Sequence, residues 1–182
     1  MERNIVYIAL FAALIAALGL LPKITLASGI PITAQSLGIM LCGTILGAKR
    51  GALAVLLFLG LVAIGLPLLA GGRGGLASFA SPWAGFLFGF PIAAFVTGLV
   101  VEKWRSGNMA VVAAVGAMVG GIVVLYLIAL VYYMVMTGTP LMGAISTVAL
   151  PFIPGDLIKA VLAGVVTQAI WKARPEAVLS RS

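Results

Sequence analysis

Asp156 and Lys159 stand three residues apart at the start of an apolar run from Leu157 to Trp171. On a helix that spacing puts both side chains on one face, close enough to pair. A charge inside a membrane-length helix costs roughly 2.5–3.5 kcal/mol on insertion scales, so an acid and a base persist there where they neutralise each other or serve a ligand. A second candidate is Arg73, set in Gly71-Gly72-Arg73-Gly74-Gly75. Glycines allow φ > 0 and close backbone approach, so such a loop can fold over a small ligand while the guanidinium offers a forked donor set to a carboxylate. Directly after it, Ser81, Trp83, Phe86 and Phe90 supply an aromatic, partly polar helix entrance.

Each feature also has a plainer explanation. Asp156 follows Pro154-Gly155, a break that starts a helix, so its carboxylate could cap the free N–H groups there while Lys159 snorkels to the headgroups. The glycine-flanked Arg73 could be a flexible connector. Trp at a span end is commonly an interfacial anchor. Taken together, Arg73(+), Asp156(−) and Lys159(+) amount to net +1 within apolar and aromatic walls. A ligand matching that set is small and largely apolar, with one carboxylate and further hydrogen-bonding groups. It is a water-soluble vitamin or metabolite rather than an ion.

Absences narrow the chemistry. The chain has no histidine, one cysteine (Cys42) and a single carboxylate in its apolar region. A His-bearing metal site, a Ser-His-Asp triad, an internal disulfide and a pair of intramembrane aspartates are thereby excluded. Neither G-x-S-x-G nor G-x-x-x-x-G-K-[ST] occurs. No metal or cofactor is expected, and energy for uphill movement must enter through another chain or an ion gradient.

The elements that position these residues are membrane spans. Apolar residues make up 63% of the chain and charged ones 8%, with a mean hydropathy of +1.27, more apolar surface than a soluble domain of 182 residues can bury. At about 20 residues per span, the breaks predict six helices in an all-α polytopic fold with no separate soluble domain. They run over about 5–21, 32–47, 51–70, 83–101, 110–136 and 156–171. The second and third, parted only by Ala48-Lys49-Arg50, could also be one interrupted segment, and a count of five would put the termini on opposite sides.

Lys and Arg near span ends favour the cytoplasm. With both termini inside, the inner ends carry Arg3, Lys49, Arg50, Lys103, Arg105, Lys172, Arg174 and Arg181, against only Lys23 and Arg73 outside. That asymmetry supports six helices, cytoplasmic termini and a multi-pass protein of the inner (cytoplasmic) membrane. It also explains the net charge of +7 without a nucleic-acid partner, although a basic inner face can touch anionic lipid. The apolar start is expected to be a built-in span; a leader cleaved near Ala27-Ser28 is the alternative.

Pro31-Ile32-Thr33-Ala34-Gln35-Ser36-Leu37-Gly38, Leu46-Gly47-Ala48-Lys49-Arg50-Gly51-Ala52 and the run from Gly65 through Gly75 resemble the BioY family, the biotin-binding S components of energy-coupling factor transporters. The run from Ser81 to Pro91 and Pro154-Gly155-Asp156-Leu157-Ile158-Lys159 extend the resemblance over nearly the whole chain, in order. One departure is Pro82-Trp83-Ala84-Gly85-Phe86, where the family usually reads Pro-Thr-Gly-Gly-Tyr. The resemblance implies a six-helix fold that captures biotin at the extracellular face and joins a membrane coupling subunit carrying paired cytoplasmic ATPases. The expected substrate-binding set is then Asp156, Lys159, Arg73, Gln35, Trp83, Phe86 and Phe90. Biotin suits it chemically, with a carboxylate, a ureido ring bearing two N–H donors and a carbonyl, and an apolar thiophane ring and tail. Asp156 would accept from the ureido N–H groups and Arg73 would receive the carboxylate, or Lys159 would take the carboxylate instead.

Ala9, Ala13 and Ala17 recur every four residues and make a smooth strip on the first helix. In families like this one such a strip meets the coupling subunit; packing within the monomer is the other possibility, and the favoured one for Gly43/Gly47, Gly85/Gly89 and Gly116/Gly120. Competing functions are an S component for another vitamin, an intramembrane acid–base enzyme using Asp156 and Lys159, and a ligand-free structural subunit.

Overall fold

A computed structural model of the chain describes residues 2–21, 24–25 and 31–181. Lys23 and the Ala27-Ser28 position lie outside the described residues. The fold is helical, with one short antiparallel ladder in which β1 (Ile24–Thr25) pairs with β2 (Pro31–Ile32). The helices are α1 (Glu2–Leu18), α2 (Gln35–Leu46), α3 (Ala48–Ala63), α4 (Ala84–Lys103), α5 (Met109–Thr137), the single turn α6 (Leu141–Ala144) and α7 (Ile153–Ala173). With 20, 29 and 21 residues, α4, α5 and α7 are long and apolar enough to cross a membrane. The helices α1 and α3, at 17 and 16 residues, and the shorter α2 fall below the roughly 20 residues that a hydrocarbon core requires.

Several boundaries differ from expectation, each for a local reason. The third helix, expected to reach Ala70, stops at Ala63 because Gly65 takes φ 107° and the N–H of Gly75 returns to the Val62 carbonyl at 2.7 Å. The last helix starts at Ile153 rather than Asp156, since Pro154 fits the first turn, where a helix has no use for its missing N–H. The first is shifted toward the N-terminus, to Glu2–Leu18. The stretch after α5, expected to be a connection, contains α6 and a wide π-type turn, Ile145–Ala149.

The second and third helices are separate. Gly47, at φ 84°, reverses the chain, and a Cβ on Gly51 would stand 2.6 Å from the Cys42 carbonyl oxygen, so α3 doubles back directly onto the end of α2. Gly47 has no side chain to cap α3, and Glu102 of α4 does so instead, its Oε1 accepting from the Ala48 N–H at 2.8 Å.

The helix α4 packs against α2, α3 and α5. Its buried face is mostly small: Ala84, Gly85, Gly89, Ala93, Ala94 and Gly98. Close backbone approach follows, because a Cβ at Gly43 would meet the Ala94 carbonyl at 2.6 Å and one at Gly85 would meet Tyr132 Cβ at 2.7 Å. The paired glycines thus pack inside the protein, as anticipated. The strip Ala9, Ala13 and Ala17 does the opposite and faces out, while Phe11, Ala12 and Ile15 form the buried side of α1.

The chain end folds back on the bundle. The π-type turn Cys42–Leu46 offers carbonyls to it: Ser180 N–H donates to Ile45 at 2.9 Å and Ser180 Oγ to Thr44 at 2.6 Å. Val178 and Leu179 are buried beneath this clasp.

Candidate functional site

The first two turns of α7 carry Asp156 and Lys159, and both side chains turn into the bundle. Asp156 is not a helix cap: its own N–H donates to Phe152 at 2.9 Å and its carboxylate points across to α2 and α5. Lys159 Nζ lies 2.7 Å from Asp156 Oδ1, with only 14% and 7% of the two side chains exposed. Burial of that extent requires further hydrogen bonds to hold the charges, and they are present. Ser36 Oγ donates to Asp156 Oδ1 at 3.0 Å and accepts from Lys159 Nζ at 2.9 Å, closing a triangle. The hydroxyl of Tyr126, reaching in from α5, donates to Asp156 Oδ2. Lys159 is therefore engaged within the bundle and does not snorkel to the headgroups.

Opposite this group lies the glycine-rich loop, which is a tight structure rather than a loose connector. Leu69 N–H donates to Arg73 O at 2.9 Å and Arg73 N–H returns to Leu69 O at 3.2 Å. Gly71 and Gly72, at φ 80° and 71°, make the reversal possible. Gln35 ties the loop down: Nε2 donates to Leu68 O at 3.0 Å and to Ile15 O at 3.2 Å, and Oε1 accepts from Ala70 N–H at 3.0 Å. Both of its donors are committed to backbone, so Gln35 braces the site while lining it. Arg73 is exposed, and its Nε donates to Ala70 O at 3.3 Å, which leaves the outer face of the guanidinium open.

Aromatic rings complete the walls. Phe86 meets Tyr126 edge-on with centroids 5.9 Å apart and contacts Phe152 at 6.1 Å, while Trp83 stacks on Tyr133 at 4.9 Å. A cavity of about 140 Å³ lies between, and Gln35, Arg73, Trp83, Phe86, Phe90, Asp156 and Lys159 all line it. Residues 120 or more positions apart in the chain thus face one space. Sequence reasoning overlooked Ser36, Tyr126 and Phe152. Ser36 lies next to Gln35 in the Pro31–Gly38 stretch, and its distance from Asp156 in the chain gives no hint of the contact; Tyr126 is one of three tyrosines in an apolar helix, with no periodicity to single it out. Among the described residues no group of three or more His, Cys, Asp or Glu side chains is gathered that could hold a metal.

The arrangement is suited to holding a ligand with both polar and apolar parts. Among the described residues that line the cavity Asp156 is the one carboxylate, and it already accepts from three donors. Comparison with known proteins points the same way. The sequence pattern of the BioY family matches residues 2–176. A biotin transporter BioY of Rhodobacter capsulatus is 51% identical over 100% of both chains, and one of Rhizobium etli is 52% identical over 95% of each. A crystal structure of the S-component for biotin from an ECF-type ABC transporter superposes with a TM-score of 0.86 at 33% identity, covering 94% of this chain and 92% of that one. With the pattern matched almost end to end and relatives above half identity over 95% or more of each chain, the chain belongs to the BioY family.

Proposed function

We propose that the protein is the biotin-binding S component of an ATP-driven vitamin importer, working with a membrane coupling subunit and paired cytoplasmic ATPases, and that it is not an enzyme. The observation that carries this reading is the meeting of Arg73, Gln35, Asp156, Lys159 and the aromatic wall around one cavity in a member of the BioY family. In the bilayer the chain forms six spans with cytoplasmic termini, the short α1, α2 and α3 crossing with the help of the loops at their ends. Supporting this, α1 runs toward the cavity end, since Gln35 binds Ile15 O there, and α7 runs away from it toward Lys172. The cavity then opens outward and the basic helix ends lie inside.

The hydrogen-bond inventory supports one orientation of biotin over the other. A carboxylate offers about four acceptor positions, and Asp156 has three filled, so one remains on Oδ2 for a ureido N–H. The second ureido N–H requires Ser36 or Tyr126 to turn its hydroxyl. Lys159 spends two of its three N–H donors on Ser36 and Asp156 and its charge on the Asp156 carboxylate, whereas Arg73 presents an open guanidinium, so Arg73 takes the valerate carboxylate. Trp83, Phe86 and Phe90 pack the thiophane ring and tail.

Titration of purified protein with a vitamin panel tests the reading. Biotin should bind saturably and be recovered unchanged. Arg73→Gln should weaken it on the order of tenfold, and biotin amide should bind the parent protein as weakly as biotin binds the variant. Binding of a different vitamin in preference to biotin would overturn the assignment.

The outward strip Ala9, Ala13 and Ala17 is the docking face for the coupling subunit, which a smooth helix surface suits. Ala13→Trp should abolish co-purification with the coupling module at unchanged biotin affinity. Parallel loss of both would mean that the strip supports the fold.

A further inference from the structure

At the opposite end of the bundle an open cleft of about 570 Å³ lies between the start of α3 and the end of α4. Lys49, Arg50, Lys103 and Arg105 line it with one carboxylate, Glu102, so four cations face one anion at net +3. Among the described residues none of these cations is in an ion pair. Glu102 is engaged by the Ala48 N–H, and Arg50 by the Leu179 carbonyl at 3.1 Å. Lys49 and Lys103 are exposed.

Below the charges the walls are hydrocarbon. Phe95 and Leu99, 38% and 37% exposed, line the cleft itself, and Ile92 and Phe88 continue the same stripe along α4. On α3, Leu53 and Leu56 stand one and two turns beyond Lys49 and are about half exposed. Trp104, also exposed, follows directly on α4, where an indole marks the boundary between headgroups and tails.

We propose that this cleft is a binding site for one anionic phospholipid, its phosphate held by Lys49 and Lys103 and its acyl chains laid along Phe95 and Leu99. A free phosphate would use the cations and leave the apolar stripe unexplained. A lipid uses both, and the stripe runs directly from the charges into the hydrocarbon layer. Glu102 offsets one of the four cations while capping α3 through the Ala48 N–H, so the cleft keeps net +3. The inference rests on membrane insertion and holds whichever vitamin the distant cavity takes.

The test is native mass spectrometry of the protein released from phosphatidylcholine nanodiscs doped with phosphatidylglycerol, scored for retained lipid. One phosphatidylglycerol should be retained in clear preference to phosphatidylcholine. K49Q should weaken this roughly fivefold, and K49Q/K103Q roughly tenfold or more. Lys172→Gln, outside the cleft, should leave the preference intact. Biotin affinity of each variant, measured in parallel, reports folding and stands independently of the lipid result. Equal retention of the two lipids, or a preference unmoved in the double variant, overturns the proposal. Displacement of the bound lipid by millimolar inorganic phosphate would reassign the cleft to free anions. If the double variant loses its hold on the coupling subunit in pure phosphatidylcholine and shows no change in lipid retention, the cleft is a protein contact instead.

Discussion

The two ends of the bundle treat charge in opposite ways. At the cavity end Asp156 and Lys159 are nearly enclosed, paired at 2.7 Å and held by Ser36 and Tyr126. At the other end Glu102 is engaged by a backbone N–H, Lys49, Lys103 and Arg105 are exposed, Arg50 bonds a backbone carbonyl, and among the described residues none of the four has a carboxylate partner. The difference follows from solvent. In a low-dielectric pocket an unpaired charge is costly, so every member of the group must be satisfied from within. Beside the headgroups, water and lipid phosphates do that work, and cations can stay separate. Enclosed charge is therefore held by the protein's own hydrogen bonds, and open charge stays available to its surroundings.

The sharpest way to break this contrast is to unpair the enclosed end. Asp156→Asn should abolish measurable biotin binding and lower stability by about 3 kcal/mol, because Lys159 keeps its charge without a counter-ion. Asp156→Leu combined with Lys159→Met should recover most of that stability and none of the binding. Melting temperature and biotin titration of the same samples separate the two effects; a double variant as unstable as the single one would show that the pair serves the fold. The smallest effect belongs to the open end. Glu102→Ala removes the cap on α3 and should cost about 1 kcal/mol, with biotin affinity unchanged. A tenfold loss of biotin affinity there would mean that the two ends are coupled and the contrast is false.

Gln35 illustrates what a motif can and cannot convey. Its place in the candidate set came from the company it keeps, and the structure puts it in the cavity wall. Its amide, however, is bonded to Ile15, Leu68 and Ala70, so its first role is to hold the loop that carries Arg73. Asp156 shows the reverse. A carboxylate after Pro-Gly invited a capping role, yet the helix begins three residues earlier and the side chain faces α2 and α5. The fold-back of Val178 through Arg181 onto the π-type turn had no signature at all, because a short apolar tail reads the same whether free or docked.

Hydropathy, charge asymmetry and the spacing of Asp156 and Lys159 determined by themselves that the protein is a helical membrane protein with an ion pair on one face of its last helix. Those properties follow from residue type along short stretches, where the 3.6-residue period and the cost of burying charge operate locally. Only the tertiary structure decided that Ser36 and Tyr126, 120 and 30 positions away, complete the pair, and that Arg73 faces it across a cavity. Contacts between distant segments depend on how closely small residues such as Gly43 and Gly85 let the helices approach, and that distance is set by the whole packed bundle rather than by any one stretch of chain.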